Sequence, residues 1–265
     1  MNHALNVTAP PSPPAQIVAL GSAARSCSGC SMHQLCLPTG LNDSDTQRLD
    51  KIISRRKIPR DGFLYRIGDR FTSLYAVRVG HFKSYQQNLA GDRQITGFQM
   101  KGDLLGMDAI NTERYQCDAL ALEDSEVCEI PFQMLEALFA QMPTLLHHFH
   151  RTLSLEITNE QKIIMLLGNM RAEQRFAAFL VSLSMAYAAR GYSATRFQLR
   201  MTREDIGNHL GLTIESISRM IAKMRKDVLI QVRQRDVEIL DMPALIRLAS
   251  GTQTLTSTPV CHPQH

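Results

Sequence analysis

The chain has 265 residues, 44% of them hydrophobic and 20% charged, which is typical of a globular protein with one or two domains. No uninterrupted apolar run approaches the roughly 20 residues of a membrane-spanning helix, and the proline-interrupted N-terminal segment is unlike a secretory signal, so we expect a cytoplasmic protein without membrane contact. The net charge of +4 is concentrated between residues 170 and 250, which hold 13 Lys and Arg against 8 Asp and Glu. This basic excess is compatible with nucleic-acid binding but is too small to establish it.

The two ends of the chain have compositions that do not favour a hydrophobic core. Residues 1–25 are rich in Pro, Ala, Ser and Thr, and residues 249–265 are rich in Thr, Ser and Pro. Because such segments cannot bury enough apolar surface to fold, we predict that both are disordered. Cys261 lies in the second tail, far from any identifiable partner.

A cysteine cluster follows the first tail. Cys27, Cys30 and Cys36 are spaced C-x2-C-x5-C, so three thiolates can surround one metal centre. The spacing favours an iron–sulfur cluster and a zinc site about equally, and His33 could supply a nitrogen to zinc. A thiol switch through Cys27 and Cys30, or thiols with no special role, also stay open. The six cysteines do not indicate disulfides, because the chain is longer than disulfide-dense secreted domains and shows no export signal.

The next 90 residues change from helical to β-type patterning. Residues 41–53 predict a short helix that begins at Asn42 or Ser44. Its expected buried side chains are Leu49, Ile52 and Ile53. Across residues 59–131, glycines separate short runs of β-forming residues, which predicts a β-barrel or β-roll. Examples of these runs are residues 63–65 and 74–79.

Residues 143–168 predict one long helix with an apolar seam. The seam residues recur at spacings of three and four and are Leu146, Phe149, Leu153, Ile157, Ile164 and Leu167. Such a seam favours a second copy of the chain as its partner, while part of the helix packs on the β-roll. Glu160 lies in the same seam, and two copies would face each other in a parallel homodimer. Because like charges oppose association, we expect a marginal dimer.

The C-terminal third contains two short helices joined by a tight turn. Residues 171–190, which precede these two helices, predict an amphipathic helix that packs under them. Thr202 with Asp205 matches a helix-start signal, Gly211 can end that helix in the left-handed conformation, and Thr213 can cap the next one. Runs at residues 228–232 and 237–240 then predict a small β-hairpin, the wing of a winged helix-turn-helix.

The second of these helices has two faces. Its apolar stripe, which we expect to be buried, consists of Ile214, Ile217, Ile221 and Met224. The other face is polar and suited to DNA. Glu215, Ser218 and Arg219 share that face near the helix N-terminus, where a carboxylate, a hydroxyl and a guanidinium can hydrogen-bond to base edges. An ordinary pair of surface helices explains the spacing about equally well, so spacing alone does not decide between them.

Four specific segments resemble the FNR branch of the CRP/FNR transcription regulators. The segment 27–38 is similar to the cluster-binding segment of that branch, and residues 127–131, Val-Cys-Glu-Ile-Pro, are similar to the motif that carries its fourth ligand. Residues 91–98 contain its Gly-Asp-x-Gln-Ile-Thr-Gly-Phe run, and residues 215–219 contain its E-x-x-S-R signature. The resemblance extends from about residue 27 to residue 248.

The resemblance implies an α+β protein in three parts. These are a cluster-binding segment with a cyclic-nucleotide-binding-like β-roll at residues 26–142, a dimerisation helix at 143–169, and a C-terminal winged helix-turn-helix DNA-binding domain at 170–248. It implies a [4Fe–4S] cluster held by Cys27, Cys30, Cys36 and Cys128. Cys117 has no counterpart in the pattern and is expected to be an ordinary semi-buried cysteine, with a role as the fourth ligand left as the alternative.

The resemblance also implies an oxygen-responsive regulator of anaerobic metabolism, mainly an activator and also a repressor. The cluster promotes homodimerisation and binding to TTGAT-type inverted repeats. Implied base contacts are Glu215, Ser218 and Arg219, and implied phosphate contacts are Thr202, Arg203, Thr213 and, less strongly, Lys223. Implied dimer-interface residues are Leu153, Ile157, Glu160 and Ile164. Gly91 and Asp92 are implied contacts to RNA polymerase.

No cyclic nucleotide is expected as a ligand. Cyclic-nucleotide receptors of this kind carry Gly-Glu and an Arg followed by Ser or Thr, whereas here Asp103 follows Gly102 and Tyr115 follows Arg114. The alternative from the same fold is a zinc- or thiol-dependent DNA-binding regulator. A thiol oxidoreductase is disfavoured because the dithiol lacks a βαβ context, and a haem sensor would leave four cysteines unexplained.

Overall fold

A computed structural model describes residues 27, 29–30, 35–87 and 91–251. The predictions for residues 1–25, for His33, for Cys261 and for nearly all of residues 249–265 lie outside the described residues. Within the described part, no helix is long and apolar enough to cross a membrane.

The first helix is shorter than predicted. α1 (Asp43–Asp50) begins where expected, because the Asn42 side chain accepts a hydrogen bond of 2.8 Å from the Asp45 N–H. Leu49 is fully buried, as predicted. Ile52 and Ile53 follow the end of the helix and are only half-buried, so the prediction of their burial is partly wrong.

The β-rich region forms two four-stranded antiparallel sheets, which confirms the predicted β-roll. Its strands are β1 (Ser54–Ile58), β2 (Phe63–Tyr65), β3 (Ser73–Val79), β4 (His81–Gln87), β5 (Arg93–Met100), β6 (Leu104–Leu105), β7 (Asp118–Ala121) and β8 (Ser125–Pro131). One sheet has the order β1-β8-β3-β6 and the other β2-β7-β4-β5. Phe82 and Val127, one from each sheet, are fully buried in the shared core. The short helix α2 (Phe132–Phe139) follows β8 and was not predicted.

The predicted long helix is confirmed as α3 (Pro143–Asn169), with the proline in its first turn, where a missing N–H costs nothing. Its ends are buried in two different cores. Phe149 packs with the β-roll, and Leu166 packs with the C-terminal unit. Between them, residues 154–162 are exposed. One helix therefore joins both cores and presents its middle to solvent.

The C-terminal unit is a winged helix-turn-helix, as predicted. Its elements are α4 (Ala172–Ala189), β9 (Arg196–Gln198), α5 (Arg203–Leu210), α6 (Ile214–Lys226), β10 (Ile230–Arg233), β11 (Asp236–Ile239) and α7 (Met242–Ser250). The predicted wing hairpin is β10 and β11, and β9 adds an unpredicted third strand in the order β10-β11-β9. Helix α7 was also missed. The predicted α+β class, with a β-roll, a long helix and a winged helix-turn-helix, is confirmed.

The C-terminal unit is docked on the open edge of the β-roll. β5 is the last strand of its sheet, and the side chain of Asn208 bonds to it as a neighbouring strand would. The Asn208 Nδ2 donates to the Arg93 carbonyl at 2.7 Å, and the Ile95 N–H donates to the Asn208 Oδ1 at 2.6 Å. The Lys83 ammonium lies 2.6 Å from the Asp205 carboxylate. The β4–β5 hairpin is thereby tied to α5.

Candidate functional site

Four cysteines from two parts of the chain line one small cavity. Cys27, Cys30 and Cys36 come from the segment before α1, and Cys128 comes from the middle of β8, where β1 and β3 flank it with Arg55 and Ala76 opposite. The cavity has a volume of about 30 Å³, enough for one or two water molecules. Leu37, Pro38, Ile53, Ala76, Val77 and Ile130 supply most of the remaining wall. The fold therefore brings the four predicted ligands to one apolar enclosure.

Hydrogen bonds tie the start of the cysteine segment to the end of α1. The Cys27 N–H donates to both carboxylate oxygens of Asp50 at 2.9 and 3.0 Å, and the Cys30 N–H donates to the Cys27 carbonyl at 3.1 Å. Asp50 is the last residue of α1, so that helix anchors the cluster segment. Sequence reasoning missed Asp50, because only the fold places it beside Cys27.

The thiols of the cavity resist ionisation. Burial, assisted by the neighbouring Cys128, raises the pKa of Cys36 to about 12. Burial likewise raises the pKa of Cys128 to about 11, although the guanidinium groups of Arg55 and Arg78 act in the opposite direction. Burial and the Asp50 carboxylate raise the pKa of Cys27 well above its usual range. At neutral pH these three thiols are protonated, so metal binding must release protons.

The donor set fits a thiolate-bound metal centre in kind and number. Four sulfur donors are what iron–sulfur clusters take, and soft thiolates also bind zinc. In the described part of the chain, no three His, Cys, Asp or Glu side chains are arranged to hold a metal ion as they stand. The cavity is also small, so binding a cluster requires the cysteine-bearing walls to move apart.

Cys117 lies apart from this cavity. It is buried in the β-roll core, with its sulfur 4.0 Å from the Tyr65 hydroxyl, and it does not line the cavity of the other four cysteines. Burial and the nearby Asp108 raise its pKa. Its surroundings are those of a structural core residue, and it is more buried than the sequence indicated.

The predicted caps of the helix-turn-helix are present. The Thr202 hydroxyl oxygen accepts from the Asp205 N–H at 3.0 Å, while the Asp205 carboxylate accepts from the Thr202 N–H at 2.9 Å. Gly211 ends α5 with φ of +63°, and the Thr213 hydroxyl caps α6 by accepting from the Ser216 N–H at 3.2 Å. At Gly207, a Cβ atom would lie 2.7 Å from the Leu212 carbonyl oxygen. Only glycine allows the two helices to approach this closely.

The predicted reading face of α6 is open to solvent. Glu215 and Arg219 are exposed, and Ser218 beside them accepts a hydrogen bond of 3.3 Å from the Arg203 guanidinium. Hydrogen bonds from its own backbone N–H and from Thr213 lower the pKa of Glu215, so its carboxylate is an ionised acceptor at neutral pH. Three predicted base contacts and one predicted phosphate contact thus share one surface.

The buried stripe of α6 differs in one position from the prediction. Ile217, Ile221 and Met224 are buried as expected, whereas Ile214 is 44% exposed. Met220 takes the fourth buried position. Ile214 is the first residue of the helix, and its side chain therefore projects beyond the core that the later turns cover.

The middle of α3 exposes the predicted dimer seam. Ile157 is 57% and Ile164 69% exposed, Glu160 is exposed between them, and Leu153 is half-buried. Apolar side chains this exposed in a row indicate an interface. Gly91 and Asp92 are exposed and directly precede β5, and the Gln87 side chain donates to the Gly91 carbonyl at 2.9 Å.

The residues at the positions where cyclic-nucleotide receptors bind the nucleotide phosphate make other contacts in this protein. Asp103 is ion-paired with Arg190, the residue that follows α4, and the Arg114 guanidinium donates to the Gly68 carbonyl at 2.7 Å. Tyr115, after Arg114, is buried and stacks on Tyr65 with ring centroids 3.9 Å apart. Stacked aromatic rings fill this part of the β-roll.

Comparison with known protein families gives two matches. Residues 55–142 match the cyclic nucleotide-binding domain family, and residues 174–248 match the Crp-like helix-turn-helix domain family. The first covers the β-roll and α2, and the second covers the C-terminal unit from α4 to α7.

Curated relatives are similar over most of their length. The chain is 47% identical over 235 residues to the anaerobic regulatory protein of Pasteurella multocida, covering 88% of this chain and 86% of that protein. It is 44% identical over 236 residues to the fumarate and nitrate reduction regulatory protein of Escherichia coli K12, covering 89% and 94%. Both relatives are named as regulatory proteins, not as enzymes.

Solved structures share the fold. FixK2 from Bradyrhizobium japonicum aligns with a TM-score of 0.69 at 24% identity, covering 74% of this chain and 97% of that chain. A CRP-family transcriptional regulator from Thermus thermophilus aligns with a TM-score of 0.59 at 22% identity, covering 74% and 96%. The solved structures show the shared fold, and the identity to the curated relatives shows that the chain belongs to the CRP/FNR family of transcription regulators, with the FNR-type anaerobic regulators.

Proposed function

We propose that this protein is an oxygen-sensing transcription regulator of anaerobic metabolism, mainly an activator and also a repressor. The observation that carries the proposal is the convergence of Cys27, Cys30, Cys36 and Cys128 on one apolar cavity in a chain with a DNA-binding fold. The names of the curated relatives, anaerobic regulatory protein and fumarate and nitrate reduction regulatory protein, support the physiological part.

The four cysteine sulfurs would hold a [4Fe–4S] cluster. When bound, such a cluster supplies sensitivity to oxygen. The chain's own residues supply the ligands and connect the two parts of the chain that carry them. Cys128 lies in the sheet, whereas the segment that carries Cys27 is tied through Asp50 to α1, so ligation would join that segment to β8. Arg55 and Arg78 lie near Cys128 and stabilise its thiolate.

Occupancy of the cavity is coupled to dimerisation through α3. Phe149 of α3 packs in the same core cluster as Cys36 and Cys128, so a shift of the cysteine segment reaches the helix directly. The seam of half-buried Leu153 and exposed Ile157 and Ile164 then pairs with that of a second copy, against the repulsion of the two Glu160 carboxylates. Because the dimer is marginal, a change of a few kcal/mol is enough to switch it.

Opposite changes of dimer affinity are expected for two seam substitutions. Ile157→Ser should raise the dimer dissociation constant at least about tenfold because apolar area is lost from both copies, and Glu160→Ala should lower it about tenfold because the repulsion is removed. Analytical ultracentrifugation under anaerobic conditions measures both. Lys162→Ala, on the opposite side of α3, is the control and should change little. Equal dimerisation of all three variants would contradict the seam assignment.

In the dimer, two α6 helices would bind TTGAT half-sites of an inverted repeat. Glu215, Ser218 and Arg219 read base edges, and Thr202, Arg203 and Thr213 contact phosphates. Gly91 and Asp92, on the hairpin docked to α5, contact RNA polymerase. Cyclic nucleotide is not a ligand, because Asp103 and Arg114 are otherwise engaged and Tyr115 fills the β-roll.

Metal analysis of anaerobically purified protein tests the cofactor. We expect about four irons and four acid-labile sulfides per chain, with a visible absorption band that is lost in air. Stoichiometric zinc in a colourless, air-stable protein would instead establish a structural zinc site and overturn the oxygen-sensing proposal. DNA binding would then still stand on the helix-turn-helix.

A further inference from the structure

A groove lies between the start of α4 and the DNA-reading helix α6. It has a volume of about 240 Å³, and its lining residues are Ala172, Glu173, Ser216, Arg219, Met220 and Lys223. Arg219 is the proposed base-reading residue, so the groove borders the DNA surface. The Arg219 guanidinium donates to the hydroxyl of Ser216, another lining residue, at 3.2 Å. Two cations and a hydroxyl are the groups that bind a backbone phosphate.

Glu173 is the single acidic side chain among these lining residues. Its carboxylate lies 2.8 Å from the Lys223 ammonium, and the Glu173 side chain is 29% exposed against 57% for Lys223. The pair joins residues 50 positions apart in sequence. Lys223 lies one helical turn after Arg219, so the Glu173 carboxylate pairs with a cation one turn away from the base-reading residue.

We propose that Glu173 restrains DNA binding by holding Lys223 away from a backbone phosphate that would otherwise occupy this groove. The proposal rests on the proposed function of α6 as the DNA-reading helix. A phosphate that approaches Lys223 must displace the carboxylate or be repelled by it, so the ion pair competes with DNA. Because phosphates are independent of sequence, Glu173 lowers affinity for every duplex by the same factor.

The position of Glu173 in its own helix stabilises its negative charge. It lies in the first turn of α4, where a carboxylate is stabilised by the helix dipole. Its position would suit a purely structural tie between α4 and α6 as well. The two roles differ in one measurable way: a structural tie leaves the number of phosphates contacted unchanged, whereas release of Lys223 adds one.

The test compares full-length, anaerobically prepared variants on a TTGAT inverted repeat and on a scrambled duplex over a range of salt concentrations. Glu173→Gln should bind both duplexes about three- to tenfold more tightly at low salt. The slope of log affinity against log salt should steepen by about 0.9 for each protomer bound. The ratio of the two affinities should stay the same, because no base contact changes.

Two controls separate this effect from others. Glu136→Gln removes the same charge from α2 in the sensor half and should change neither affinity nor slope by a comparable amount. The double variant Glu173→Gln with Lys223→Gln should lose the gain. A gain that persists in the double variant, or a Glu173→Gln protein without any gain, would overturn the proposal.

Lys223→Gln alone provides a second measurement should Glu173→Gln fold poorly. It should leave the salt slope nearly unchanged, since Lys223 is already occupied by Glu173. A slope reduced by about 0.9 would show that Lys223 contacts phosphate despite Glu173 and would refute the restraint. Failure of the wild-type protein to prefer the TTGAT repeat would refute the operator assignment instead, while the slopes on the scrambled duplex would still report on Glu173.

Discussion

Arg219→Ala should remove most of the preference for a TTGAT inverted repeat over a scrambled duplex. Arg219 is exposed on the reading face of α6, and its guanidinium can bond bidentately to a guanine. Loss of one such contact costs about 1–3 kcal/mol of discrimination in each half-site, and a dimer loses two. Competition binding assays with the two duplexes measure the loss.

The matched control for this substitution lies on the same helix. Arg225 is exposed in the last turn of α6, and Arg225→Ala removes the same charge away from the face of Glu215 and Arg219. It should weaken binding to both duplexes alike, if at all. Iron and sulfide content should be unchanged in both variants. Preserved selectivity in Arg219→Ala would refute the assignment of α6 as the reading helix.

Local chemistry made the helix-turn-helix predictable. Thr202, Asp205, Gly211 and Thr213 act through hydrogen bonds and backbone conformations within three or four residues, so their sequence order already determines their roles. Ile214 was misassigned because its burial depends on how far the neighbouring core extends, which periodicity along one helix does not reveal.

Contacts between distant segments were not predictable in the same way. Asn208 has no local reason to bind a strand edge, and its bonds to β5 exist only because the long α3 returns the C-terminal unit to the β-roll. The Glu173–Lys223 pair likewise depends on the crossing of α4 and α6. Strands β6 and β9 were missed since segments of two or three residues carry too little pattern.

The cysteine cavity depends both on local sequence and on contacts between distant segments. The C-x2-C-x5-C spacing identified three thiols locally, but the spacing left iron–sulfur and zinc open. The fourth residue came from the resemblance of residues 127–131, not from geometry. The pairing of β8 between β1 and β3 brings Cys128 to the other three, and the same sheet topology leaves Cys117 in a different core.

Cys128→Ser should abolish assembly of a stable cluster, whereas Cys117→Ser should retain it. A serine hydroxyl is a harder ligand than a thiolate and a poor substitute in a site built of sulfur donors. Anaerobically prepared Cys128→Ser protein should therefore contain a small fraction of the roughly four irons and four sulfides expected of the wild type, and should lack its visible absorption. Its dimerisation and its selective DNA binding should fall together with the iron content.

Cys117→Ser is a demanding control because both cysteines lie in the β-roll. Cys117 is 7% exposed with Tyr65 nearby, so placing a hydroxyl there costs about 1–3 kcal/mol of stability without touching the cavity. Thermal melting of the two metal-free variants separates folding defects from ligand loss: Cys117→Ser should be the less stable protein and yet the one that holds iron. If Cys117→Ser loses the cluster and Cys128→Ser keeps it, the fourth ligand is Cys117, and ligation would have to draw a buried core residue out of the β-roll.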